Sequence, residues 1–352
     1  MTEPQIKPFS PARAAIELVA IDIDGTLLNS SIQLTDRVEK AIKAATAQGV
    51  KIVLATGKTR VAALDILTRL GLQTPGIYVQ GVVTYSADGS IQNQLILKDS
   101  VVRQVLTFAE DRGFTALAYS GSRILMRAHN ADIEAAIRKY HDSTPEIVGP
   151  IQNLLASVSI NKVVLIGDAR AITALRWQLN IQIGTSARLV QAGIPSMLEV
   201  LPPGASKGTA LKRLASELKI TTDRIMAIGD AENDVEMIQF AGIGIAMGNA
   251  DDKTKAAANH VVATNDADGV AEALERFVII PPPPPPAPPV DVVAPTAVAT
   301  TAETTAPSTP ADATTTAPAP TAPAPTAPAP TATAPSADIT TPAPPTSKEE
   351  SA

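Results

Sequence analysis

The sequence predicts an α/β protein: a doubly wound parallel sheet, interrupted by an inserted α+β segment and followed by a disordered tail. Three observations predict this. From Leu18 to Val79, short apolar runs alternate with amphipathic stretches of helical period, the βαβαβ order of a parallel sheet. The rhythm breaks near residue 86 and returns after Pro195. From Pro281 the chain is dominated by Pro, Ala and Thr and has no aromatic residue.

Leu18–Ile21 reads as the first strand, and Thr35–Gln48 as a helix capped by Thr35 or Asp36 and closed by Gly49. Val50–Ala55 is a second strand, Arg60–Leu70 a helix ended by Gly71, and Ile77–Val79 a third strand. Val82–Tyr85 and Ile91–Leu97 flank an Ala87-Asp88-Gly89-Ser90 turn, a hairpin signal. Helix Val101–Arg112, strands Ala116–Tyr119 and Ile124–Arg127, helix Asp132–Tyr140, strand Lys162–Ile166 and helix Ala169–Gln178 follow in mixed order. This mixture predicts a second domain over 86–190, with a core made of 17–85 and 191–280 after a flexible 1–16. The core then resumes as strand Met197–Val200, helix Lys207–Leu218, strand Ile225–Ile228, helix Asp234–Ala241, strand Ile243–Ala246, helix Asp251–Ala258, strand His260–Val262 and a helix around Val270–Phe277.

The tail, 281–352, holds 21 of the 30 prolines and too little apolar surface to offset the entropy of ordering it. It reads as a linker or solubilising extension, with a weak Pro-rich ligand as the other use. Its six acids and one base account for five of the six net negative charges. The body is therefore close to neutral, without the positive charge of a nucleic-acid binder. The chain has no cysteine, which excludes disulfides, thiolate metal sites and a thiol nucleophile. Its three histidines, His129, His141 and His260, lack metal-ligand spacing. No apolar run reaches membrane-spanning length, and Glu3 and several prolines precede the first apolar run. The expectation is a soluble, cytoplasmic enzyme without a membrane or nucleic-acid partner.

An open parallel sheet binds ligands at the carboxyl ends of its strands. Four polar sets fall there: Asp22 and Asp24 after the first strand, Thr56-Gly57-Lys58 after the second, Lys207 at a helix start behind Pro202–Ser206, and Gly229-Asp230-Ala231-Glu232-Asn233-Asp234. Asp22 and Asp24 alternate with one residue between them, so both leave the strand end on one side. Such a pair needs a divalent cation or a proton to relieve its repulsion. Asp22, Asp24 and Asp230 are hard oxygen ligands suited to Mg²⁺. Lys207 supplies a positive charge, Thr56 a hydroxyl, the Thr56–Gly57 backbone amide donors, and Asn233 an amide. Together they can hold a phosphoryl dianion beside a carboxylate able to attack it, with the second Asp as acid and base.

Asp22-Ile23-Asp24-Gly25-Thr26, Thr56-Gly57, Lys207 and Gly229–Asp234 resemble the four motifs of the haloacid dehalogenase superfamily of phosphatases. The long insertion between the second and third motifs, and Ile243-Gly244-Ile245-Ala246-Met247-Gly248-Asn249-Ala250 with Lys253, resemble its Cof-type branch. The resemblance covers about 18 to 278. It implies a Rossmann-like core, a mobile α/β cap at 86–190 and Mg²⁺-dependent hydrolysis of phosphate esters. It also implies roles. Asp22 is the nucleophile and a metal ligand. Asp24 is the acid/base and binds metal through its backbone carbonyl. Thr56, Gly57, Lys207 and Asn233 bind phosphate, Asp230 binds metal, and Asp234 supports the site from behind. Two positions depart from the branch: Lys58 stands where Arg is usual, which removes bidentate recognition, and Val79-Gln80-Gly81-Val82 stands where Asn-Gly-Ala is usual.

The function expected is hydrolysis of small phosphorylated metabolites such as sugar phosphates through an aspartyl-phosphate. A phosphotransferase or phosphomutase using the same intermediate, or a catalytically silent phospholigand-binding protein, are the alternatives. Gly242-Ile243-Gly244-Ile245-Ala246-Met247-Gly248 misses the dinucleotide fingerprint by one residue and lies outside a first βα turn. Thr26 and Leu27 fill positions where a calcium loop needs an oxygen ligand and a Gly. Arg123, Arg127, Arg138 and Lys139 read as solvated faces, and Trp177 as part of the cap interior.

Overall fold

The computed structural model describes residues 15–139, 142–191 and 194–279. The expected flexible start (residues 1–14 of it), His141 and the Pro-rich tail lie outside the described residues. In chain order the elements are β1 (Leu18–Ile21), α1 (Asp36–Ala47), β2 (Lys51–Leu54), α2 (Leu64–Leu70), β3 (Gly76–Tyr78), β4 (Val83–Tyr85) and β5 (Ile91–Gln94). Next come α3 (Asp99–Glu110), β6 (Thr115–Ser120), β7 (Arg123–Met126), α4 (Ala131–Lys139), β8 (Glu146–Ile147), β9 (Lys162–Ile166), α5 (Ala169–Ile183), β10 (Arg188–Val190) and β11 (Met197–Leu201). The chain continues through α6 (Lys207–Leu218), β12 (Ile225–Gly229), α7 (Val235–Phe240), β13 (Ile243–Ala246), α8 (Asp252–Ala257), β14 (His260–Val261) and α9 (Gly269–Phe277).

Five parallel strands form the core sheet in the order β14-β13-β12-β1-β2. β1 lies between β12 and β2, and all four of its residues are buried. Its alternate side chains serve two layers. Val19 and Ile21 pack with α1 and α9 residues such as Ile42 and Leu274. Leu18 and Ala20 pack with α6 and α7 residues such as Leu211 and Met237. This is the two-sided cover that a parallel sheet requires. α1 buries Val38, Ala41, Ile42 and Ala45, spaced three or four apart. Its cap is Thr35, whose Oγ1 accepts from the Val38 N–H at 3.3 Å. Gly71 ends α2 in the left-handed region, as its position in the sequence predicts.

A second sheet of six strands, in the order β10-β11-β9-β6-β7-β8, forms the cap. Ala116, Ala118, Val163, Leu165, Leu198 and Val200 face α3 and α5. The alternate residues Leu117, Tyr119, Ile124, Met126 and Val164 join the same apolar cluster as the core. The β4–β5 hairpin forms as expected and pairs with β3 in a three-stranded sheet. An isolated Ala55–Ile77 bridge connects β3 to the end of β2.

Three differences from the sequence reading have physical reasons. Met197–Val200, expected to resume the core sheet, lies in β11, which pairs antiparallel with β9 and β10 in the cap sheet. The run Met-Leu-Glu-Val-Leu is covered on both faces in either location, so its pattern does not distinguish them. The short strands β8 and β10 carry too few residues to show a period. Trp177, expected inside the cap, is 68% exposed. The inward residues of α5 are Ile172, Leu175, Leu179 and Ile183, and position 177 falls on the opposite face. No helix among the described residues is long and apolar enough to cross a membrane.

Candidate active site

The end of β1 places Asp22 inside the sheet edge, where its N–H continues the ladder to the Ile228 carbonyl at 3.1 Å. Gly25 then turns the chain at a φ of +79°. A Cβ there would collide with the Asp230 carboxylate, so the Gly lets the loop close over the end of β12. Thr26 uses this approach, its hydroxyl donating to Asp230 Oδ1 at 2.6 Å.

Lys207 begins α6, whose cap Ser206 accepts from the Thr209 N–H at 2.9 Å. The Lys207 side chain is 1% exposed. It donates to Asp22 Oδ1 at 2.5 Å and to Asp234 Oδ1 at 2.7 Å. Asp234 Oδ2 accepts from the N–H groups of Asp230 and Ala231 at 3.0 and 3.1 Å. Asp234 is thus a fully buried brace whose oxygens are both engaged. It fixes the lysine on one side and the loop after β12 on the other.

Ligand oxygens of Asp22, Asp230 and Asp234 all lie within 4.8 Å of one another. Two of these carboxylates, Asp22 and Asp234, share the Lys207 ammonium, and the third, Asp230, lies beside them without a cation of its own in contact among the described residues. Burial drives the Asp22 carboxyl well above the usual range; Lys207 opposes the shift, and the Asp234 and Asp230 charges add to it. Burial also pushes Asp230 up to about 6, aided by Asp234 and opposed by the Thr26 hydroxyl and Lys207. Burial disfavours the charge on Lys207, yet Asp22 and Asp234 outweigh it and hold the ammonium above its ordinary value. The cluster has an excess of negative charge, the condition that a divalent cation relieves. With Asp234 fully engaged, the hard oxygens left for a cation belong to Asp22 and Asp230.

Asp24 is not part of this cluster. Its carboxylate pairs with the buried Lys58 at 2.8 Å. Lys58 is thereby aimed at the second carboxylate of the Asp22–Asp24 pair. Thr56 is buried, and its Oγ1 accepts from the Lys58 N–H at 3.1 Å. Backbone donation from Thr56 was expected, but its N–H is already bonded to the Ile77 carbonyl at 2.9 Å. This leaves the hydroxyl as the donor that Thr56 can offer. Asn233 Nδ2 donates to Gln80 Oε1 at 2.9 Å, while its Oδ1 is buried without a hydrogen-bond partner among the described residues.

The sequence reading missed the cap's contribution. Lys162 on β9 donates to the Gly57 carbonyl at 3.0 Å and to Glu199 Oε1 on β11 at 2.8 Å. Its ammonium also lies 4.3 Å from the Tyr119 ring centroid. Thr59 Oγ1 donates to Asp142 Oδ1 at 2.8 Å. The available signal was a lone charge inside each of two apolar strands, Lys162 in one and Glu199 in the other. The cap arginines make surface pairs instead: Arg123 with Glu146, Arg127 with Glu110 and Arg138 with Glu134. His129 sits beside Glu134, and His260 stacks on Phe277.

The family model for haloacid dehalogenase-like hydrolases matches residues 19–274, and the chain belongs to this family of hydrolase enzymes. Among curated relatives, it is 32% identical over 268 residues to the putative phosphatase YxeH of Bacillus subtilis, covering 75% of this chain and 98% of that protein. It is 36% identical over 266 residues to the chloroplastic endoribonuclease YBEY of Arabidopsis thaliana, covering 73% of this chain. The match spans only 45% of the YBEY protein. Among solved structures, a haloacid dehalogenase-like hydrolase from B. subtilis aligns with a TM-score of 0.69 at 28% identity, covering 75% of this chain and all of that one.

Proposed function

We propose that this chain is a Mg²⁺-dependent phosphatase that hydrolyses small phosphate monoesters through an aspartyl-phosphate on Asp22. The observation that carries the proposal is the buried Asp22–Lys207–Asp234 arrangement, with its 2.5 and 2.7 Å contacts, at the carboxyl edge of the parallel sheet. A structural ion pair needs one carboxylate per ammonium; Lys207 holds two, Asp22 and Asp234, and an Asp230 oxygen lies within 4.8 Å of theirs, gathered where a ligand would enter. The similarity to YxeH, a putative phosphatase, supports the same reaction class.

In the proposed reaction, an Asp22 carboxylate oxygen attacks phosphorus and the bond from phosphorus to the ester oxygen breaks. Asp24 gives a proton to the departing oxygen, producing an alcohol. In the second step Asp24 takes a proton from water as that water attacks phosphorus, which releases inorganic phosphate and restores Asp22. Lys207, the Thr56 hydroxyl and the Asn233 amide, with the Gly57 loop, hold the phosphoryl oxygens and stabilise the charge they carry. Lys58, paired with Asp24 at 2.8 Å, holds that side chain in place. Asp22, Asp230 and the Asp24 carbonyl would hold Mg²⁺, which when bound neutralises phosphoryl and carboxylate charge. Asp234 keeps Lys207 directed at Asp22.

The test uses p-nitrophenyl phosphate, whose leaving group needs no proton. Asp24→Asn is expected to release about one equivalent of nitrophenol in a burst and to accumulate a hydroxylamine-labile phosphoenzyme. Asp22→Asn is expected to give neither. A burst that persists in Asp22→Asn would remove Asp22 from the nucleophile role.

A further inference from the structure

Val79, Gln80 and Gly81 adopt φ values of +52°, +62° and +83°, three successive residues in the left-handed region. A β-branched Val and a Gln rarely take this conformation, and such strain persists only where the surroundings enforce it. Here the surroundings are three separate segments of the candidate site.

The Val79 N–H donates to the Lys58 carbonyl at 2.9 Å and the Gln80 N–H to the Thr56 carbonyl at 3.0 Å. The turn is therefore stitched along Thr56-Gly57-Lys58. Gly81 lies against the Ser206 carbonyl and the Lys207 N–H, where any Cβ would collide. The Gln80 side chain is 4% exposed, and its Oε1 accepts from Asn233 Nδ2. Its Nε2 lies against Gly57, within 2.6 Å of where a Cβ would stand. One strained turn thus touches the segments carrying Thr56, Lys207 and Asn233.

We infer that Gln80 is a positioning residue: it orients the Asn233 amide toward the phosphoryl group and registers that amide with the Gly57 loop. This rests on the phosphatase reading for what occupies the site. The Gln80 acceptor engages one N–H of Asn233 Nδ2 and leaves the other to point at an anion. It also fixes which face of the amide meets the ligand. The Gly at position 57 is needed for this, because a side chain there would displace the Gln80 amide.

The discriminating variant is Gln80→Asn. Asn tolerates a positive φ better than Gln, so thermal stability should hold or rise. Its side chain is one methylene shorter and should not reach Asn233. The dissociation constant for inorganic phosphate, read by calorimetry on the full-length protein with Mg²⁺, should rise about tenfold, equivalent to about 1.4 kcal/mol. Gln80→Met should behave alike in binding, and Gln80→Asn/Asn233→Ala should bind phosphate no more weakly than Asn233→Ala alone. With a monoester substrate, KM should rise more than kcat falls. Phosphate affinity within twofold of wild type in a folded Gln80→Asn protein, or additive losses in the double variant, would overturn the inference. Phosphate binding reports independently of turnover. A wild-type protein that binds phosphate through Gln80 and Asn233 but hydrolyses no ester would sink the phosphatase reading and leave this one standing.

Discussion

Lys162 on the cap strand β9 donates a 3.0 Å hydrogen bond to the carbonyl of Gly57, in the loop that follows core strand β2. The same ammonium pairs with Glu199 at 2.8 Å, and both side chains are buried. This contact brings the cap onto the Thr56-Gly57-Lys58 segment. It ties the six-stranded cap sheet to the end of core strand β2 at a specific point.

Removing the ammonium should be costly in two ways. Lys162→Met leaves Glu199 as a buried unpaired charge and should destabilise the protein by about 3–5 kcal/mol. It also frees the Gly57 loop from the cap and should lower kcat/KM by about tenfold. Lys162→Met/Glu199→Leu should recover most of the stability and little of the activity. Chemical denaturation and steady-state kinetics on the three proteins check this. Equal recovery of both properties would show that the contact acts only on stability.

Asp234 braces Lys207 and the loop after β12. Asp234→Asn can keep the Lys207 acceptor at Oδ1, but the NH2 then replacing Oδ2 accepts nothing, so the part-buried N–H groups of Asp230 and Ala231 both lose their partner. The expected loss is about 2–4 kcal/mol, together with at least a tenfold fall in kcat. Urea denaturation measures the first and single-turnover kinetics the second.

The carboxylate cluster predicts a pH dependence. Folding raises Asp230 from 3.8 to about 6. The folded state therefore holds a proton that the unfolded state has released, and this group's contribution is fully present below about pH 4. It is lost as pH rises through about 6. Burial shifts Asp22 in the same direction. In EDTA, thermal stability should carry a downward component between pH 4 and 6.5 that Asp230→Asn lacks. Mg²⁺ should offset that component near neutral pH, because it favours the ionised carboxylates. Melting curves across this range, with EDTA and with Mg²⁺, read both effects.

The parts of the site that the sequence revealed share a physical origin. Asp22, Asp230 and Lys207 sit at the ends of strongly apolar strands or at a capped helix start, so local pattern places them on one sheet edge. Gly25 was legible because the Asp-Gly-Thr turn needs a residue without a Cβ. Lys162 and Glu199 were not, because their partnership depends on the antiparallel packing of β9 beside β11. That pairing joins segments whose order along the chain suggested different domains. The loss of the Thr56 N–H to Ile77 likewise follows from β3 closing against the end of β2, a tertiary event. Gln80 was visible as a departure from the family pattern. The three left-handed residues and the Asn233 contact that explain it exist only in the folded chain.

The most direct measurement of the central claim is phosphate release from a broad panel of phosphate monoesters, with Mg²⁺ and with EDTA, by wild type and Asp22→Asn. The account predicts Mg²⁺-dependent release by wild type and a loss of at least a thousandfold in Asp22→Asn, with the fold retained by circular dichroism. Release that survives Asp22→Asn, or none from any ester by well-folded wild type, would contradict it.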